Sequence, residues 1–311
     1  MQKYFVLTAA IIFALFTTAG DANAQRRGAA ATAESVTLVT KDGVSLGATF
    51  YAGQTSKETT PVVMLHDFNE SRAVYDSLAT RLSNPGEQDS HQPFAVLTVD
   101  LRGHGDSVKQ SYGGSATRTL EASRLRKGDV EAMVLRDMEA VRKFLVKEND
   151  AGKFNLNRLS VIGTGLGAVV AANWAAVDWS VPPLATVKQG QDLKTMILVS
   201  PRWKTNGLSI NNALKQRGVR QKVATMLLYG GKDTRVSRDN KRIYKQLARY
   251  HDDLKASPGG ELPSLVEFGP ETELQGTAWL KQAGTKAEDL MIRFLTQYSV
   301  KPDFEYLERR N

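Results

Sequence analysis

Apolar residues along this chain fall into short unbroken runs, each stopped by glycine, proline or a polar cluster. Pro61 to Leu65, Phe94 to Val99, Leu159 to Ile162, Thr195 to Val199 and Ala224 to Tyr229 have this form, with a shorter run at Leu265 to Phe268. Runs of this length without alternation predict strands covered on both faces, as inside a parallel sheet. Ser35 to Thr40 alternates instead, turns at Lys41-Asp42-Gly43 and returns through Val44 to Tyr51, which predicts an antiparallel hairpin. Between the strands the period changes to that of helices. Val74 to Leu82 is one. A second is capped by Asp129 and presents Val130, Val134, Met138, Val141 and Leu145 on one face. A small-residue helix buries Val169, Val170, Ala172 and Trp174. Thr285 and Glu288 form a capping box for a last helix with Leu290, Met291, Phe294, Leu295 and Tyr298 inward. Strands alternating with helices predict an α/β domain: a mostly parallel, eight-stranded sheet with helices on both faces.

The chain ends read differently. Lys3 followed by the apolar stretch Tyr4 to Gly20 and the A-x-A site Ala22-Asn23-Ala24 predicts a signal peptide over 1–24. An uncleaved anchor is the alternative, against which the shortness of the run argues. A small, polar, alanine-rich leader is expected over 25–34, one domain over 35–300, and a C-terminal tail over 301–311. No second run of comparable length occurs, so no membrane span is expected after cleavage, and the protein is expected to be secreted or periplasmic. The absence of cysteine suits an oxidising compartment but leaves the fold without disulfide staples, and it leaves no site for N-terminal lipidation.

Composition changes the picture in one respect. Hydrophobic residues at 41% and charged residues at 24% describe an ordinary globular protein, but the net charge is +8 and basic residues crowd Arg202 to Arg249. Those charges either meet an anionic partner or form solvated helix faces, the commoner use of such residues. No aromatic interleaving or nucleic-acid motif accompanies them, so nucleic acid is not expected as a partner.

Three stretches carry candidate chemistry. Leu65-His66-Asp67-Phe68 follows the first buried strand. Asp100-Leu101-Arg102-Gly103-His104-Gly105-Asp106-Ser107 follows the second. Gly163-Thr164-Gly165-Leu166-Gly167 joins a strand to the small-residue helix. Together, and in this order, they resemble the α/β-hydrolase fold, in particular its serine-peptidase and lipase-like branch: the oxyanion-loop entry, the D-x-R-G-H-G-x-S turn and the G-x-S-x-G elbow. The resemblance spans nearly all of the chain expected to remain after signal cleavage. It implies a nucleophile at the elbow apex, an acid after the strand ending at Tyr229 and a histidine after the last strand.

The residues at those places depart from the pattern. The apex is Gly165, which has no side chain but accepts the strained backbone of such a turn. Asp233 stands where the acid is expected. Gln275, in Gln275-Gly276-Thr277, stands for the histidine; an amide takes no proton at neutral pH but can donate a hydrogen bond to a carboxylate as a neutral imidazole would. None of His66, His91, His104 and His251 follows the last strand. Asp67 beside the oxyanion hole would repel a developing oxyanion. Thr164, with the only hydroxyl beside the apex, is expected to point off the line of attack. His66 and His104 are read as structural, and Ser200 as a loop cap. The cleft region is thus His66, Asp67, Phe68, Thr164 and Leu166, and no metal or cofactor is expected.

Only about two dozen residues separate the strand ending at Val199 from that starting at Ala224, too few for a large lid domain. Arg202, Lys204, Lys215 and Arg217 in that interval would favour an anionic ligand at the rim. Two readings follow. One is an exported, catalytically silent hydrolase-fold protein that binds a small molecule or protein in the former cleft. The other is an active exported hydrolase of ester or peptide bonds whose non-standard site uses Asp67, Thr164 or Asp233. On this alignment, Gly165→Ser combined with Gln275→His is expected to fold normally.

Overall fold

The computed structural model describes residues 33–113, 116–182, 184, 187–251 and 261–309. The expected signal peptide and most of the leader lie outside them. Among the described residues there are twelve strands: β1 (Ala33–Val39), β2 (Val44–Tyr51), β3 (Pro61–Leu65), β4 (Ala95–Val99), β5 (Lys109–Ser111), β6 (Thr117–Thr119), β7 (Leu159–Thr164), β8 (Leu193–Val199), β9 (Lys204–Thr205), β10 (Leu208–Ser209), β11 (Ala224–Leu228) and β12 (Leu265–Phe268). The helices are α1 (Asp76–Ser83), α2 (Lys127–Ala132), α3 (Met138–Asp150), α4 (Leu166–Ser180), α5 (Arg217–Lys222), α6 (Thr234–Leu247), α7 (Gly276–Ala283) and α8 (Thr285–Leu295).

One ten-stranded sheet runs β12-β11-β8-β7-β3-β4-β2-β5-β6, with β1 also on β2. From β12 to β4 every pairing is parallel; β2, β1, β5 and β6 pair antiparallel. The six parallel strands and the β1–β2 hairpin are the eight expected from the sequence. The β5–β6 hairpin adds two. Each of its strands has three residues, and only Gln110 among them is buried, too little to leave a hydrophobic signature. The first strand starts at Ala33, so the last two residues of the expected leader pair with Tyr51 and Phe50.

The parallel strands read as continuous apolar runs because both of their faces are covered. Val63, Leu65, Val161, Met196, Leu198 and Leu227 join the core under α3, α4 and α5. Their alternates Val62, Met64, Ile162, Ile197, Val199 and Leu228 join the core under α1 and α8. This is the period of two of a strand, applied to two apolar layers instead of one.

Helix starts differ from the sequence reading. Asp129 is not the cap of its helix: the helix begins at Lys127, and the Asp129 carboxylate accepts from the backbone N–H of Arg126, the residue before it. The last helix follows Gly284 without a side-chain cap, and Glu288 pairs with Arg81 instead. Between α2 and α3 the five residues Met133–Asp137 form a π-turn. The extra residue keeps Val134 and Met138 in the core while turning Asp137 beneath Arg102. Arg102, 1% exposed, donates through Nε and Nη2 to Asp137 and through Nη1 and Nη2 to Asp42. That guanidinium ties the Asp100–Ser107 turn both to α3 and to the β1–β2 hairpin.

Between β8 and β11 lie only the β9–β10 hairpin, one 3-10 turn and α5. The C-terminal segment docks rather than trailing away: Asn155 and Asn157 donate to the carbonyls of Phe304 and Glu305, and buried Arg309 donates to Asp192 and Asn157.

Candidate functional site

The carboxyl ends of the parallel strands point to one edge of the sheet, and the loops leaving them carry the sequence-selected residues, as open α/β sheets require. Asp67 leaves β3, Asp100 leaves β4, Gly165 leaves β7, Ser200 leaves β8 and Asp233 follows β11. Gln275 precedes α7.

Gly165 forms the joint between β7 and α4, at φ 50° and ψ −108°, with its N–H donating to Val199 O at 2.9 Å. Positive φ here is the strained apex of a strand–turn–helix, which glycine adopts at least cost. Two backbone N–H groups converge beside it, those of Leu166, the first residue of α4, and of Phe68. Both donate to one oxygen, Oδ1 of Asp67, at 2.7 and 2.6 Å. The carboxylate thus fills the anion-binding corner made by two backbone donors and the positive end of a fifteen-residue helix. It also occupies the space a side chain at the apex would need. A Cβ built on Gly165 would stand 2.0 Å from Cγ and from both oxygens of Asp67. The expectation that Gly165→Ser with Gln275→His folds normally is corrected on this ground: no side chain fits at 165 until Asp67 moves.

The loop holding Asp67 is itself tied down. The Asp67 N–H donates to Glu70 Oε2 at 3.1 Å, and Thr277 Oγ1 of α7 donates to Glu70 Oε1. Thr164 is turned away from the cleft. Its hydroxyl lies 2.5 Å from the Tyr75 hydroxyl, which donates to Leu65 O. Both side chains are buried, and burial pushes the Tyr75 phenol above its ordinary value.

Gln275 and Asp233 do not meet. The Gln275 Oε1 accepts from Ser200 Oγ at 2.7 Å and from the Gly230 N–H at 3.1 Å, while Nε2 donates to Gly230 O at 2.8 Å. The amide therefore clips the loop after β11 to the end of β8, and the idea that it donates to a carboxylate is corrected. Asp233 Oδ1 instead accepts from the N–H groups of Arg235 and Val236 and caps α6. Ser200, at φ 49°, accepts from the Gly276 N–H at 2.8 Å, so it anchors the Gln275 loop rather than only ending its own strand. Its sequence neighbourhood carries no sign of this, because its partners lie 75 and 76 positions away.

The four imidazoles are engaged elsewhere. His66 is buried, receives the Leu101 N–H at Nε2 (2.9 Å) and so places its proton on Nδ1, 2.6 Å from Asp67 O. His104 packs edge-on between His66 and Phe68 and bonds the Arg102 carbonyl. His91 faces Gln92 O. His251 bonds Ser264 Oγ at 2.7 Å, but Ser264 precedes β12 and lies at the opposite edge of the sheet from the cleft. Among the described residues, no three His, Asp or Glu side chains gather as metal ligands.

Burial drives His66 down to about 4, below its ordinary 6.5. The native state then excludes a proton that the unfolded chain binds, so stability falls as pH drops from 6.5 towards 4 and is unaffected by this residue above that window. The contribution is roughly 3 kcal/mol. An NMR titration is expected to show the His66 ring neutral at pH 5.5, and a ring already protonated there refutes this.

Of the four basic residues expected at the rim, one is ion-paired among the described residues. Arg202 pairs with Asp239 at 3.0 Å, and the cleft floor is the carboxylate of Asp67 with Glu70 behind it. Lys204, Lys215 and Arg217 are exposed.

Residues 56–253 match the family described as serine aminopeptidase, S33. A search of the curated proteins finds no significant match. Among solved structures, an esterase of Pyrococcus furiosus is similar over 86% of this chain and 93% of its own, at 18% identity and a TM-score of 0.57. An esterase of Exiguobacterium antarcticum is similar over 85% of this chain and 100% of its own, at 13% identity and a TM-score of 0.51. At such identities these likenesses speak for the fold alone.

Proposed function

Because the chain belongs to the serine aminopeptidase S33 family, within the α/β-hydrolases, we propose that it is a catalytically silent member, exported, that uses the former active-site cleft for binding. The observation that carries this reading is the Asp67 carboxylate held by the N–H groups of Phe68 and Leu166. A tetrahedral intermediate needs those donors for its own oxyanion, and a fixed negative charge in their place raises the barrier that they would otherwise lower. Two further observations support it. Gly165 offers no nucleophile, and no described imidazole stands in the cleft as a base. Export rests on the sequence pattern of residues 1–24.

The ligand follows from the same carboxylate. Asp67 is half-buried and engages the two backbone donors through Oδ1, so its carboxylate brings an acceptor and negative charge that favour a neutral or cationic group bearing N–H donors. The full chain is expected to resist labelling by a fluorophosphonate probe and to turn over no member of a panel of esters and aminoacyl peptides. Turnover abolished by Asp67→Ala or Thr164→Ala would overturn catalytic silence. For binding, simple alkylammonium ions are expected to raise the melting temperature of the chain but not of Asp67→Asn; equal shifts in both would reject the cleft as the site.

A further inference from the structure

The whole positive excess of this protein resides in one stretch. Residues 215–249 hold eleven Lys and Arg against two Asp, a net +9, while the entire chain carries +8. The structure gathers six of these cations on the solvent side of α6 and its 3-10 extension: Arg235, Arg238, Lys241, Arg242, Lys245 and Arg249, all exposed. The opposite side of the helix buries Val236, Ile243 and Leu247. The stripe is about 20 Å long at the rise of a helix.

It is not an ordinary solvated face. Such faces interleave acids and bases, as α8 does with Lys286, Glu288, Asp289 and Arg293. Along α6 the cations stand three and four residues apart, so neighbours repel, each such pair opposing the helix by a few tenths of a kcal/mol. The two acids of the segment do not relieve this. Asp233 caps the helix N-terminus, and Asp239 Oδ2 accepts from Arg202 and from the Trp203 N–H beneath it. None of the six cations is ion-paired with a carboxylate among the described residues. One is pre-positioned: the Arg242 guanidinium lies 3.5 Å from the centre of the Trp203 ring. Arg217 and Lys222 of α5 extend the positive surface, and Arg220, stacked on Tyr250, links α5 to the end of α6.

We propose that this face docks the protein on an anionic phospholipid surface. A straight line of long-stemmed cations on a convex helix suits a plane of headgroups, which supplies negative charge in any register. α6 itself exposes no aromatic side chain for stacking bases and no Asn or Gln to read them, and the exposed Tyr250 at the end of the extension already carries the Arg220 guanidinium 4.2 Å over its ring. Nor does α6 (Thr234–Leu247) expose an apolar residue, so it rests on the headgroups by charge and does not insert as an amphipathic helix would.

The test is sedimentation of the full chain with vesicles of phosphatidylcholine alone or mixed with phosphatidylglycerol, at low and high salt. Binding is expected only with phosphatidylglycerol and is expected to collapse at high salt, where charges are screened within a few ångströms. Neutral vesicles register any contribution of the apolar N-terminal segment, which wild type and variants share. The variant Arg238→Glu, Lys241→Glu, Lys245→Glu changes exposed residues only and is expected to weaken the anionic binding by on the order of a hundredfold or more. The charge-preserving variant Arg235→Lys, Arg238→Lys is expected to bind as wild type does. Equal binding to both vesicle types, or unchanged binding by the triple Glu variant, overturns the proposal. So does a duplex oligonucleotide that binds more tightly than the vesicles at matched salt, which would assign the face to nucleic acid.

Discussion

Gly165→Ser, which places a hydroxyl at the elbow apex, is expected to destabilise the fold by about 3 kcal/mol without creating activity. The new Cβ would lie 2.0 Å from the Asp67 carboxyl group, so that carboxylate must leave the two N–H donors it now satisfies. The residue also has to hold φ near 50°, where a side chain is strained. In a domain of this size the melting temperature should fall by roughly 6–10 °C. Asp67→Gly in the same chain removes the obstruction, and the double variant is expected to regain most of the loss. That coupling is the diagnostic quantity: additive effects of the two substitutions would mean that Asp67 does not occupy the space of the missing side chain. Fluorophosphonate labelling is expected to remain absent in the double variant, since Gln275 cannot take the proton from the introduced serine.

Arg102→Ala is expected to be still more damaging, by about 3–5 kcal/mol, measured as a shift in the urea midpoint at constant slope. Its guanidinium answers two carboxylates, and Asp137 is as buried as Arg102 itself. Burial already pushes the Asp137 carboxyl up to about 6. Without the arginine, its native-state value rises further above the unfolded value near 3.9. The native variant then binds a proton that the unfolded chain does not, so its stability improves as pH falls through 6 and is poorest at neutral pH. Arg102→Lys is expected to recover only part of the loss, because an ammonium cannot fork between two carboxylates. A loss below about 1 kcal/mol for the alanine variant would show the network to be no better than a surface pair.

Both expectations concern contacts between residues distant in the chain, and this marks the boundary of what pattern reading can reach. The runs at Pro61, Leu159, Thr195, Ala224 and Leu265 were legible as parallel strands because an interior strand buries consecutive side chains on two faces, a requirement each segment meets by its own composition. The elbow was legible for a similar reason: strained turns select glycine locally, and the flanking periods change from strand to helix across it. The absence of a side chain at 165 and of an imidazole at 275 could also be read directly.

Other features had no local signature. The π-turn at Met133–Asp137 preserves the apolar face that predicted a regular helix, so only its effect, Asp137 beneath Arg102, betrays it. Ser200 looked like a strand end until its partners at 275 and 276 were seen. Asp233 proved to serve its own helix, and Gln275 a backbone carbonyl.

The sequence alone determined the layers, the order of elements, the bare apex and the concentration of positive charge. Only the tertiary structure decided that Asp67 fills the corner beside that apex, and that the cations of α6 share one unpaired face. Covalent neighbours and periodicity dictate which surface a segment buries. Which carboxylate satisfies a pair of backbone donors depends on three chain segments meeting, and no local pattern encodes that meeting.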